Sequence, residues 1–178
     1  MKYLFYLIIL TINLTTIGQN KVKSLEDFTC TRHSKFTQKQ KSQYYPFNSS
    51  SKVVLVSFEE SENVLNYKGK SLDNFTFKET KVLGSPETDS LIDLLYNISV
   101  KGKTFKFTPA VCYSPRNAIL FLTSEGKISE FIEICFECFR TRVSSSKVND
   151  GISCETKFAL LKSYFKKQGV KYGTNDGL

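Results

Sequence analysis

The sequence predicts an α+β fold, a mainly antiparallel sheet packed by two helices, and three observations carry that reading. Two β-branched, apolar runs, Lys52–Phe58 and Ala118–Leu122, have the composition of buried strands. Two other stretches, about 86–97 and about 155–167, place apolar residues at helical spacing. The order is β-β-α-β-β-β-α, with a hairpin over about 117–140 at its centre, whereas a parallel sheet would alternate strands with helices.

The elements follow in chain order. Residues 19–51 are polar and aperiodic and read as an irregular N-terminal arm, whose one apolar cluster, Tyr44, Tyr45, Pro46 and Phe47, can dock it. Residues 52–178 form the single α+β domain. After the Lys52–Phe58 strand and a polar loop containing Gly69, Phe75–Leu83 alternates well enough to be a second strand. Ser85-Pro86-Glu87 starts a helix: Ser85 suits the N-cap, Pro86 the first helical position, and Glu87 and Asp89 face the positive end of the helix dipole. Leu91, Ile92, Leu94, Leu95 and Ile98 form its apolar stripe. Lys103–Tyr113 reads as a strand. Ser124-Glu125-Gly126-Lys127 is a hairpin turn in which Gly126 supplies a positive φ, and the return strand runs from Ile128 to about Arg140. A loop over 144–151 leads to the last helix, with Phe158, Leu161 and Phe165 inward and Gly169 as its stop; Val170–Tyr172 is a candidate short edge strand.

The first 18 residues order a lysine, an apolar run from Tyr3 to Ile12 and a polar end with small residues at Thr16 and Gly18, the layout of a secretory signal peptide. The run is about ten residues, short of the roughly 20 that span a bilayer. Cleavage after Gly18 is expected to leave an exported monomer, periplasmic or extracellular, without a transmembrane segment. The full chain carries 25 Lys+Arg against 17 Asp+Glu, a net +8. That excess points to an anionic envelope component as a partner. With no Arg-rich face and no nucleic-acid motif, nucleic acid is not expected. One histidine in the whole chain removes most catalytic triads and multi-histidine zinc sites, so the composition disfavours an enzyme.

Chemistry, if any, lies at the five cysteines. Cys135-Phe136-Glu137-Cys138 has the C-x-x-C spacing of a redox dithiol. A thioredoxin-type dithiol sits at a helix N-terminus, and this pair reads as part of a strand, where residues three apart point to opposite faces. A two-residue turn at Glu125-Gly126 sets Arg116 opposite Cys135 and Tyr113 opposite Cys138, and a three-residue turn sets Cys112 opposite Cys138. Either register makes Cys112 and Cys138 neighbours and a plausible disulfide in an oxidising compartment. Cys154 then pairs with Cys135 or Cys30, and one cysteine is left over. The alternative is a thiol-based redox or zinc-binding protein, using Cys112, Cys135, Cys138 and Cys154, or Cys30 and His33 of a C-x-x-H with Cys135 and Cys138. Otherwise His33 is a solvent-exposed arm residue and no cofactor is implied. Glu133 and Glu137 flank Cys135 but lie about 13 Å apart along a strand, too far for paired-carboxylate chemistry. They read as surface acids paired with Lys or Arg. Arg116 would lower the Cys135 pKa while these acids raise it, so no activated nucleophile is expected.

Cys112–Phe121 (CYSPRNAILF), Ile132–Cys138 (IEICFEC) and the tail Lys157–Gly173 (KFALLKSYFKKQGVKYG) together resemble a family of small exported bacterial proteins carrying CYxPRxA and IEICFxC motifs. The resemblance covers about the last 70 residues. It implies export and a shared domain, and carries over no activity, cofactor or catalytic residue. The expected function is that of a non-enzymatic binding or structural module braced by disulfides.

Overall fold

The computed structural model describes residues 30–33, 44–59, 67–100, 113–151, 154 and 156–174. The expected signal peptide, much of the arm and the expected strand over 103–112 lie outside these residues. The strands are β1 (Thr31–Arg32), β2 (Lys52–Ser57), β3 (Glu79–Val82), β4 (Ile98–Ser99), β5 (Asn117–Leu122), β6 (Ile128–Cys135) and β7 (Arg140–Val143); the helices are α1 (Ser85–Tyr96) and α2 (Lys157–Lys167). A five-stranded sheet runs β3-β2-β5-β6-β7, antiparallel at every pairing, and β1 pairs with β4 in a separate two-stranded sheet. The fold is α+β, dominated by sheet.

The central strands are apolar without alternation because both sheet faces are covered. On one face Val53, Leu55, Ile119, Phe121, Ile132 and Ile134 pack with Leu91, Ile92 and Leu95 of α1 and Phe158, Leu161 and Phe165 of α2. Phe47 joins this layer from the arm, its ring edge-on to Phe121 at 4.8 Å, and Tyr44 stacks on Tyr96 at 4.2 Å. On the other face Val54, Val56, Leu120 and Phe131 meet Tyr67, Phe75 and Phe77. Tyr67 lies edge-on to Phe75 at 4.6 Å and to Phe131 at 5.6 Å, the arrangement ring quadrupoles favour. The expected strand over Phe75–Leu83 therefore shrinks to Glu79–Val82: Phe75 and Phe77 bury their rings over the sheet instead of extending its edge.

The hairpin keeps the register of the two-residue turn, Asn117 opposite Ile134 through Phe121 opposite Glu130, then shifts at a bulge that pairs Leu122 with Ile128. Gly126 has φ 77°, as the turn requires. The return strand does not reach Arg140. It ends at Cys135, a four-residue turn over 136–139 reverses the chain, and β7 pairs back on β6. Phe136 is the physical reason, since it leaves the sheet to bury against Phe165 at 5.6 Å. With no glycine available, Phe139 takes the left-handed conformation at φ 50°.

Helix ends differ in detail. Gly84, not Ser85, is the N-cap of α1, and the Thr88 hydroxyl donates to its carbonyl at 2.8 Å. At the other end the fully buried Lys157 donates from Nζ to Leu94 O at 2.7 Å, Leu95 O at 3.0 Å and Ile98 O. A side chain at the start of α2 thus satisfies two last-turn carbonyls of α1 and one of β4. Val170–Tyr172 forms no strand: the backbone amides of Lys171 and Tyr172 donate to Glu79 Oε2 at 2.8 and 2.9 Å, so a carboxylate, not a ladder, closes the β3 edge.

Candidate functional site

Among the described residues three cysteines are disulfide-bonded and one is free. Cys154 is bonded to Cys30, with Cα atoms 5.3 Å apart, which ties β1 and its partner β4 to the start of α2. Cys138 is disulfide-bonded, and its expected partner Cys112 lies outside the described residues. Cys135 is a free, buried thiol, so the C-x-x-C is not bridged within itself. Either set of zinc ligands would need sulfurs that these bonds occupy. Among the described residues no group of three or more His, Cys, Asp and Glu side chains gathers as a donor set. His33 sits exposed at the end of β1, with Nε2 3.0 Å from Ser99 O.

Arg116 pairs with the exposed Glu137 at 2.9 Å, as expected of a surface acid. Glu133 is different: it is fully buried. Its Oε2 accepts from the Tyr113 hydroxyl at 2.6 Å and lies 2.8 Å from Arg142 Nη2, and the guanidinium groups of Arg140 and Arg142 sit 5.3 and 5.7 Å from the centre of the Tyr113 ring. Burial raises the Glu133 pKa against the opposing pull of Tyr113 and Arg142, and burial together with Glu133 pushes the Tyr113 phenol up. The expected pairing with an arginine across the sheet holds, Arg142 standing opposite on β7, but the surface placement does not, because this sheet face is covered and the buried acid takes Tyr113 and Arg142 as partners. This cluster fastens the β6–β7 edge.

The better candidate lies at the mouth of the β5–β6 hairpin. A cleft of about 570 Å³ opens there, lined by Tyr45, Lys68, Lys127, Ser129, Ser146 and Lys147, with Thr123, Glu125, Glu130 and Ser145 among the remaining residues. Its base is Glu130, buried on β6. Glu130 Oε1 accepts from Tyr45 OH and Lys68 Nζ, each at 2.7 Å, and Oε2 accepts from Ser144 Oγ. Burial alone would raise this carboxyl, but donation from Lys68, Ser144 and Tyr45 outweighs it and holds the pKa below the ordinary range. One ionised carboxylate therefore locks three segments distant in sequence, the arm at Tyr45, the loop at Lys68 and the loop after β7, into a preformed wall.

The polar side chains that line the cleft, set in a larger apolar surface, are mostly amines and hydroxyls. Lys127 and Lys147 stand against the single rim acid Glu125, whose carboxyl is held low by the hydroxyls of Thr123 and Ser124. Ser145 Oγ is buried and has no hydrogen-bond partner among the described residues. A buried hydroxyl left unsatisfied is costly, and this one belongs to a residue that lines the cleft. The arrangement suits a hydroxyl-rich ligand bearing an acidic group. Sequence reasoning missed it, although one signal was present: Glu130 alternates in register with Ile132 and Ile134, and an acid on an apolar strand face requires donors. No protein-family model, no curated protein and no solved structure matches the chain.

Proposed function

We propose that this chain is an exported binding module, braced by disulfides, that takes an acidic saccharide of the cell envelope in the cleft at the hairpin mouth. The observation that carries the reading is the preformed cleft itself, held open by the buried Glu130 and lined by lysines and hydroxyls. Hydroxyls offer both donors and acceptors to sugar rings, and the lysines offer charge to a carboxylate. Export is supported by the signal-like N-terminus and is compatible with the Cys30–Cys154 bond, since such bonds persist in oxidising compartments. Among the described residues no helix is long and apolar enough to cross a membrane. Of the four cysteines of the thiol-based alternative, Cys138 and Cys154 are disulfide-bonded, Cys135 is a buried free thiol and Cys112 lies outside the described residues.

The test is a binding titration with polygalacturonate as the acidic saccharide and dextran as a neutral one. The module should bind the acidic polymer with an affinity that falls steeply with salt. Lys127→Glu combined with Lys147→Glu should weaken binding roughly tenfold or more. Equal affinity for dextran, or an unaffected double variant, overturns the proposal.

A further inference from the structure

A second concavity, of about 380 Å³, lies on a separate surface, between the turn after β6 and helix α2. Its walls are Phe136, Phe139 and Phe158, and Lys162 and Lys166 stand beside them. Three features set this surface apart. First, Phe139 is 53% exposed, one of two large apolar side chains so presented among the described residues. Second, its backbone sits at φ 50°, a conformation costly for a bulky residue, while its ring rests edge-on to the buried Phe158 at 5.6 Å. A turn selected for stability alone would carry Gly or Asn there. Third, the two charged residues that line the concavity are both cations. From Lys157 to Tyr172 the chain holds five lysines and no acid. Lys157 is buried as the cap of α1, while Lys162 and Lys166, four residues apart on one helix face, line the concavity.

We propose that this face docks the protein on an anionic lipid bilayer, with Phe139 inserted at headgroup depth and Lys162 and Lys166 against the lipid phosphates. An anionic hydrophilic polymer would be attracted by the lysines but would leave the Phe139 ring in water. An interface with acidic headgroups above hydrocarbon meets both demands, as it does for basic amphipathic surfaces generally. The aromatic turn is anchored for such a role, because Phe136 is packed on Phe165 at its start and the adjacent Cys138 is disulfide-bonded. The inference is independent of the hairpin-mouth cleft, which shares no residue with this surface.

Co-sedimentation of the mature chain with vesicles tests it, comparing phosphatidylcholine alone with phosphatidylcholine and phosphatidylglycerol in equal parts. Binding is expected only to the mixed vesicles and should weaken with salt. Phe139→Asn removes the ring while easing the left-handed backbone, so the fold should survive; it should lower vesicle affinity roughly tenfold. Lys162→Glu and Lys166→Glu should each lower it at least about fivefold. Absence of binding to the mixed vesicles overturns the proposal. So does unchanged affinity in Phe139→Asn, or complete competition by soluble polygalacturonate with the ring still dispensable, which would make this face a simple polyanion site.

Discussion

Replacing Lys157 with methionine is the sharpest probe of how the two helices are joined. Methionine keeps the apolar stem and approximate volume but removes the ammonium that serves Leu94 O, Leu95 O and Ile98 O. A hydrogen bond from a charged donor contributes about 1.5–3 kcal/mol net, and an orphaned buried acceptor costs about 1–3 kcal/mol. The variant also escapes the desolvation of a fully buried charge, several kcal/mol before compensation. The balance is a destabilisation of about 2–4 kcal/mol, a large fraction of the ~5–15 kcal/mol that holds a domain together. Urea unfolding reads it directly: the midpoint should fall with the slope unchanged. Lys166→Met, on the exposed face of the same helix, should stay within about 0.5 kcal/mol of wild type. A Lys157→Met loss as small as that control would refute the capping argument.

The same residue sets a pH signature. Burial lowers the Lys157 pKa to about 8 from its ordinary 10.5, against the opposing pull of Asp150 and Asp93. Between these values the unfolded chain binds more protons than the folded one, so stability rises as pH climbs from 8 towards 10. The neutral amine still donates two N–H bonds, which keeps the cap in place. Tyr96, Tyr113 and Tyr164 act in the opposite sense above pH 10, because burial raises their folded pKa values above the ordinary 10.0 and the unfolded phenols ionise first. Urea midpoints across this range should pass through a maximum, and in Lys157→Met the rising limb should be absent.

Cys30→Ser, which opens a bond spanning 124 residues, should cost about 3–5 kcal/mol by loop-closure entropy, read as a fall in the urea midpoint. Native alkylation of wild type should leave Cys135 unlabelled and denaturation should expose it, whereas ready labelling in the folded state would contradict its burial. Glu130→Gln should lower stability by about 1–3 kcal/mol through the loss of charge-assisted bonds from Lys68, Tyr45 and Ser144. Because the folded Glu130 pKa is held below 4.5, its contribution is present above that pH and is lost on acidification, so the gap between wild type and variant should narrow in acid. Gly151→Ala should destabilise by more than about 2 kcal/mol, since φ is 67° and a Cβ would run into the backbone carbonyl of Leu95; a neutral result in thermal unfolding would contradict that packing.

What could be read from the residues was whatever depends on neighbours in sequence. β2 and β5 are apolar β-branched runs, Gly126 marks the hairpin turn, and Phe158, Leu161 and Phe165 mark the buried stripe of α2. What escaped depends on distant partners. Nothing in Phe136–Phe139 announces a turn, because the sequence there has no glycine or proline; the demand comes from Phe165 in the helical layer. Glu133 looked like a surface acid until Arg142 and Tyr113 closed over it, and Glu130 gains its role from Tyr45 and Lys68, 85 and 62 residues away. Cys154 had two partners open to it on spacing alone, and only the pairing of β1 with β4 brings Cys30 to it.

The central claim is that the hairpin mouth is a ligand site. Amide chemical shifts of the isotopically labelled mature chain, followed while short polygalacturonate oligomers are added, test it most directly. Saturable shifts confined to residues 123–130 and 144–147 with the loop at Lys68 are expected, with silence along α2. Shifts that never saturate, or that gather around Phe139 and leave the hairpin mouth unmoved, would contradict it.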